Sequence, residues 1–114
     1  MLFDKILDTL RDNGKAAMAY EMTVELTNEA MERDPERAAG YRLLCAYAER
    51  YLQFTQRMPV TVRESEAAFA GFTEALEALR AGYVSQDADA INKALNQVAI
   101  WSRQYLEQPL PSVV

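Results

Sequence analysis

Residues 41–54 read YRLLCAYAERYLQF, a stretch in which apolar side chains recur three and four positions apart, as they do along one face of an α-helix. The stripe consists of Leu44, Tyr47, Ala48, Tyr51 and Met58. Leu43 and Phe54 widen it into an aromatic-rich face. A helix that is apolar over most of its circumference is usually buried on more than one side. The sequence therefore predicts a central helix that packs against several neighbours.

The limits of this third helix are set by two prolines. Asp34 precedes Pro35, so the aspartate side chain can cap free amide groups while the proline occupies the first helical position, where it loses no needed donor. Pro59 disfavours the helical conformation of the residue before it. We therefore expect the helix to run from Pro35 to about Arg57.

Two helices are predicted before it. The first carries a short apolar stripe, Leu2, Phe3, Ile6, Leu7 and Leu10, and ends at Asn13-Gly14, a pair suited to a left-handed terminus. A continuous helix through Gly14 is the alternative, at about 1 kcal/mol relative to alanine. The second helix is predicted over residues 15–33. Its apolar face is Ala19, Met22, Leu26 and Ala30, flanked by Tyr20, Val24 and Met31.

Two further helices follow Pro59. Thr61 and Glu64 form a T-x-x-E capping box at the start of the fourth helix, which is expected to end at Gly82. Its core positions are Ala68, Phe69, Phe72, Ala75, Leu76 and Leu79. Ser85 or Asp87 can cap the fifth helix. The face of that helix is Ile91, Leu95, Val98, Trp101 or Ser102, and Tyr105.

The order of these elements predicts an all-α fold. Short connections favour antiparallel neighbours, so we expect an up-and-down helical bundle of four main helices plus a short N-terminal helix. Residues 1–107 would form this single domain. Pro109 and Pro111 prevent a helix from continuing, which predicts an extended C-terminal tail over residues 108–114.

One segment resembles a known repeat family. Residues 29–47 are similar to the boundary between two tetratricopeptide repeats, with fitting residues at Ala30, Pro35, Tyr41 and Leu44. The repeat pattern fails on the amino-terminal side at three residues, Gly14, Thr23 and Thr27. We therefore interpret the segment as a junction of two helices through Asp-Pro, and no peptide-binding groove is expected from it.

Composition excludes several classes of function. Histidine is absent, which removes the commonest general base and metal ligand, and the chain carries no glycine-rich phosphate loop. A net charge of −5 argues against nucleic-acid binding, and no apolar run is long enough to span a membrane. With a single cysteine, Cys45, and no signal peptide, we expect a cytoplasmic protein in which that thiol is buried and inert.

A row of acidic residues on the second helix is the clearest indication of an enzyme. Glu21, Glu25, Glu29 and Glu32 lie along one flank of the helix, which is usually a solvated face. The alternative is a magnesium site similar to that of all-helical nucleotide pyrophosphohydrolases, in which Glu21, Glu25, Glu29 and Glu49 hold the metal. This alternative would make the protein a Mg-dependent nucleotide hydrolase.

Aromatic residues support a different function. The chain has six tyrosines, four phenylalanines and one tryptophan, a large number for a small bundle. Such rings are enriched in protein interfaces. The candidate interaction surface is Tyr41, Tyr47, Tyr51, Phe54, Trp101 and Tyr105. We therefore interpret the chain as a noncatalytic protein–protein interaction module without a cofactor: an adaptor, small chaperone, regulator or structural subunit. Its partner would be another protein or a second copy of the chain in a homodimer. A small apolar ligand held between the helices is a further possibility.

Overall fold

The computed structural model describes residues 1–13, 16–57 and 59–107, and over these ranges the chain is helical without any strand. Its α-helices are α1 (Phe3–Asp12), α2 (Ala17–Arg33), α3 (Ala38–Thr55), α4 (Val62–Ser85) and α5 (Ala88–Glu107), with a 3-10 turn over Pro35–Arg37. The predicted all-α bundle of four main helices and a short first helix is confirmed. None of the helices in these ranges is long and apolar enough to cross a membrane.

Helix α3 is the centre of the bundle, as its apolar circumference predicts. It packs against α2, α4 and α5. Its buried residues are Gly40, Tyr41, Leu44, Cys45, Tyr47, Ala48 and Tyr51. Leu43 and Phe54 are half-buried, and Met58 lies outside the described residues. The helix ends at Thr55, two residues before the predicted end at Arg57.

The face that helix α2 turns to the core is only partly the predicted one. Met22 is 40% exposed, so its assignment to the core is wrong, whereas Thr23 and Thr27 are fully buried. The Thr23 hydroxyl donates to the carbonyl of Ala19 at 2.8 Å, and that of Thr27 donates to the carbonyl of Val24 at 2.9 Å. Because each hydroxyl is satisfied within its own helix, a threonine can face the core without an unpaired polar group. Ala19 and Ala30 are buried as predicted.

The junction between α2 and α3 uses Asp34 differently from the prediction. Its carboxylate makes no capping hydrogen bond; Oδ2 accepts from the Tyr41 hydroxyl at 2.8 Å and Oδ1 from Arg37 at 2.8 Å. The Tyr41 oxygen also accepts from the Leu2 amide at 3.2 Å. Residues 35–37 are a 3-10 turn, so α3 begins at Ala38 rather than at Pro35. The network therefore ties the start of α1 to the start of α3.

The predicted capping box of α4 is confirmed, but the predicted end is not. Thr61 Oγ1 accepts from the Glu64 amide at 3.1 Å, and the Glu64 carboxylate accepts from the Thr61 amide. The helix continues through Gly82 and its last residue is Ser85. Gln86 caps it in a left-handed backbone conformation with a φ of 57°. Gly82 is instead a contact point with α5, since a Cβ there would lie 2.8 Å from Ala94 Cβ.

The remaining helix ends follow local hydrogen bonding. Asp87 caps α5, because its Oδ2 accepts from the Ala90 amide at 3.1 Å. Helices α1 and α2 are separate elements, since Asn13 and Ala16 both depart from helical backbone angles. The predicted stop at Gly14 and start at Lys15 fall outside the described residues, as does the predicted tail over 108–114.

Candidate functional site: an aromatic cleft

The six aromatic residues of the predicted interaction surface separate into two groups. Tyr41 is fully buried at the α1–α3 junction, where its ring lies 4.9 Å from that of Phe3, and Trp101 is half-buried against the core. The other four line two neighbouring spaces between α3, α4 and α5, the larger of which is an opening at the surface of the bundle. They are Tyr47, Tyr51, Phe54 and Tyr105.

This opening, the aromatic cleft, has a volume of about 320 Å³. It is lined by Tyr51, Phe54, Val60, Glu64, Ala67, Ala68 and Tyr105. A deep pocket of about 70 Å³ adjoins it and shares four of these residues. The deep pocket is lined by Tyr20, Tyr47, Tyr51, Ala67, Ala68, Gly71, Phe72 and Tyr105. Because they share these residues, the two spaces lie side by side, and together they are called the recess.

Small residues on α4 create the space. Ala67 and Ala68 are adjacent on α4, and Gly71 follows one turn later; all three line the deep pocket with the large rings of α3 and α5. A Cβ added at Gly71 would meet no atom within 4 Å. Glycine within a helix costs about 1 kcal/mol relative to alanine, so its presence at an open position calls for an explanation. The recess exists because α4 presents no side chain large enough to fill it.

The aromatic rings that line the recess pack against one another. The ring centroids of Tyr20 and Tyr51 are 4.2 Å apart, and those of Tyr47 and Tyr105 are 5.4 Å apart in a stacked arrangement. Phe54 lies 6.1 Å from Tyr105. The separations of 5.4 Å and 6.1 Å fall in the range at which aromatic pairs attract beyond their burial alone, and Tyr20 and Tyr51 are closer still. The rings are therefore held in place before any partner binds.

The Tyr20 hydroxyl is a polar group buried in the core beside the recess. The residue is 1% exposed, and the oxygen has no hydrogen-bond partner among the described residues. A buried hydroxyl without a partner costs about 1–3 kcal/mol. Burial raises the pKa of this hydroxyl strongly, and the neighbouring hydroxyls of Tyr51 and Tyr105 raise it further.

Alkaline pH should destabilise the protein through these tyrosines. Burial raises the pKa of Tyr41, Tyr47 and Tyr105 from 10.0 to about 12. A raised pKa in the folded state gives stability that is complete below pH 10 and is lost as pH rises toward about 12, because the unfolded tyrosines ionise first. Tyrosinate absorbance should therefore rise at a higher pH in the folded protein than in the urea-unfolded chain. Coincident titration curves with the fold intact would contradict this.

The acidic residues of the magnesium alternative do not form one site. Glu21, Glu25 and Glu29 are exposed on α2, and Glu29 pairs with Arg33 at 2.6 Å. Glu32 is exposed on the same helix. On α3, the carboxylate of Glu49 accepts from Arg42 at 3.1 Å. Within the described ranges, no three acidic or cysteine side chains lie close enough together to hold a metal ion.

Cys45 is buried, as predicted, but it is not surrounded by apolar groups alone. Its thiol lies 3.2 Å from Glu49 Oε1, to which it donates, and 3.7 Å from Arg42. Burial raises the pKa of the thiol, the hydrogen bond to Glu49 raises it further, and contacts with Thr27 and Arg42 act in the opposite direction. A thiol with a raised pKa is mostly protonated near neutral pH and is a poor nucleophile.

Sequence reasoning missed part of the recess. Tyr20 was placed beside the apolar face of the second helix, and Gly71 was given no role. The signal for Gly71 was available, because a glycine in the middle of a capped helix is unfavourable unless packing or function requires it. No sequence signal identified Tyr20 as part of the deep pocket, because that depends on how α2, α3 and α4 pack together.

Comparison with known proteins gives no assignment. The chain matches no protein family, no curated protein and no solved structure. What the recess can bind is therefore inferred from the residues that form it.

Proposed function

We propose that the protein is a noncatalytic binding module that captures an apolar side chain of a protein partner in the aromatic cleft. The observation that carries this proposal is the preformed recess itself, in which rings from α3 and α5 face small residues of α4. Most of the binding energy of protein complexes comes from a few large side chains that fill such pockets. Tyrosine is also one of the residue types enriched at these positions.

The rigidity of the cleft favours this function. Tyr47 and Tyr105 stack at 5.4 Å, and the guanidinium of Arg50 lies 5.5 Å from the centroid of Phe54. Because these rings are already ordered, a partner would lose less conformational freedom in the complex than at a mobile surface. Such a module serves as an adaptor, small chaperone, regulator or structural subunit. The proposal places it in the cytoplasm, where the Cys45 thiol stays reduced.

A peptide selection tests the proposal. Random peptides displayed on phage are selected on the full chain, and the affinity of the enriched peptides is compared for the wild type and Phe54→Ala. Phe54 is half-buried at the cleft, so its truncation removes contact area from the binding surface. We expect enriched peptides with a large apolar anchor and a Kd that rises at least about tenfold in the variant.

The matched control is Val84→Ala. Val84 is 56% exposed near the opposite end of α4, so its truncation removes an apolar side chain away from the cleft. Binding should be unchanged in this variant. Failure to enrich any peptide, or equal weakening by both substitutions, would count against the proposal. Light scattering tests whether a second copy of the chain fills the cleft. If the wild type is a dimer and Phe54→Ala is a monomer, the occupant is a second copy.

A further inference from the structure

The position of the aromatic cleft in the bundle points to a segment of the chain itself as an occupant. Phe54 lies in the last turn of α3, Glu64 in the first turn of α4 and Tyr105 in the last turn of α5. The cleft therefore opens at the end of the bundle where α3 and α5 end and α4 begins. Helix α5 ends at Glu107, two residues after Tyr105, so the chain leaves this helix beside the cleft.

A second space, the end groove, adjoins the aromatic cleft at this end of the bundle. It has a volume of about 470 Å³ and lies between the start of α2, the end of α3 and residues 59–62. It shares Tyr51 and Val60 with the cleft, so the two spaces lie side by side. Val62, which also lines the end groove, is 75% exposed. Two neighbouring spaces suit an extended segment that places apolar residues in both, rather than a single side chain.

The residues that follow α5 have the composition of such a segment. Residues 108–114, which lie outside the described residues, read QPLPSVV; five of the seven are proline or aliphatic and none is charged. Grooves lined by aromatic rings bind proline-rich segments, because a polyproline II helix is preformed and loses little conformational freedom in the complex. At about 3.1 Å per residue, a segment of this length spans roughly 20 Å in that conformation. This reach suffices for a cleft that lies beside its point of attachment.

The charges around the two spaces also suit this segment. Among the described residues that line the aromatic cleft and the end groove, the charged ones are Glu64 and Glu66, and both are acidic. A neutral segment meets no like charge there, whereas a carboxylate on the segment would be repelled by both residues.

We infer that residues 108–114 bind in the aromatic cleft and the end groove of their own chain, with Leu110 as the apolar anchor, and compete there with the partner. Leu110 is the largest apolar side chain of the segment and stands between two prolines. Attachment makes the contact intramolecular, with an effective concentration of about millimolar, so a weak contact is enough to occupy the cleft for part of the time. The inference rests on the proposed function of the aromatic cleft as a binding site and adds a means of regulating it.

Leu110→Asp in the full chain tests the inference. The substitution replaces the apolar anchor by a carboxylate, which is costly to bury among aromatic rings, so the segment should leave the cleft. The amide chemical shifts of Ala67 and Ala68, which line the cleft, should then differ between the wild type and the variant without any ligand. A peptide from the phage selection should bind the variant at least about threefold more tightly, the factor expected if the segment occupies the cleft about two thirds of the time.

Ser112→Asp is the matched control, because it adds the same charge to the same segment and keeps the apolar anchor. It should change both measurements less than Leu110→Asp does, and equal changes would overturn Leu110 as the anchor. A peptide of residues 108–114 with blocked ends, added to Leu110→Asp, should shift the amides of Ala67 and Ala68 until they saturate.

Three results would overturn the inference. If the wild type and Leu110→Asp have the same amide shifts and bind the selected peptide equally, the segment does not occupy the cleft, which remains a binding site for its partner. If the difference between them grows with protein concentration, the segment of a second copy is the occupant. If no peptide binds either protein and their amide shifts are the same, the inference and the proposed function both fail.

Discussion

Gly82→Val is expected to lower the free energy of unfolding by about 3 kcal/mol, the upper part of the usual range for overpacking. A Cβ at Gly82 would lie 2.8 Å from Ala94 Cβ, 3.3 Å from the Ala90 carbonyl oxygen and 3.6 Å from Ile91 Cα. Two of these three atoms belong to the backbone of α5, which cannot adjust by rotating a side chain. The added methyl groups would therefore push α5 away from α4.

Gly71→Val is the matched control, because it makes the same change in the same helix at a position where a Cβ meets no atom within 4 Å. Valine has a somewhat higher helix propensity than glycine, so this variant should be unchanged or more stable by a few tenths of a kcal/mol, roughly. Urea unfolding measures the free energy of unfolding of both variants. Equal stability of the two variants would show that α4 and α5 do not approach closely at Gly82.

Gly71→Leu is expected to weaken binding at least about tenfold while making the protein more stable. Gly71 lines the deep pocket and a Cβ there meets no atom within 4 Å, so we expect a leucine side chain to occupy the space that the partner group would use. Replacing glycine within a helix adds up to about 1 kcal/mol of stability, and burial of the side chain adds more. A loss of binding in a more stable protein separates occlusion of the recess from unfolding.

Ala70→Leu provides the comparison. Ala70 precedes Gly71 on α4 and is exposed, so the same side chain is added outside the recess. Alanine and leucine have similar helix propensities, and the stability should change little. Gly71→Leu and Ala70→Leu both introduce a leucine into α4, at a residue that lines the recess in the first variant and outside the recess in the second.

Most of the fold could be predicted because it depends on local patterns. The spacing of Leu44, Tyr47, Ala48 and Tyr51 identified the central helix, and these residues are buried. The Thr61 capping box was also a local signal. Helix ends were less accurate. Gly82 was expected to stop α4, whereas its role is to let α5 approach, which no local pattern reveals.

Helix α2 shows why hydropathy alone misplaces a buried face. Met22 and Thr23 lie on adjacent sides of the helix, and hydropathy assigns the methionine to the core. The structure buries Thr23 instead, and its hydroxyl is satisfied by the Ala19 carbonyl at 2.8 Å. The helix can therefore turn toward α3 without an unpaired hydroxyl, and Met22 remains 40% exposed.

The candidate site was predictable in part. Aromatic content alone selected Tyr47, Tyr51, Phe54 and Tyr105, which the structure brings to one recess. It could not show that these rings enclose a space, because that depends on small residues of α4 facing them across the bundle. The recess is open because the facing residues of α4 are small, and the composition of the chain does not show which residues face one another.

The affinity of a selected peptide for Gly71→Leu, measured by calorimetric titration beside the wild type and Ala70→Leu, tests the aromatic cleft as a binding site most directly. We predict that the Kd rises at least about tenfold in Gly71→Leu and is unchanged in Ala70→Leu, because the recess is filled in the first variant and open in the second. Wild-type affinity in Gly71→Leu would contradict the account and move the binding surface elsewhere on the bundle.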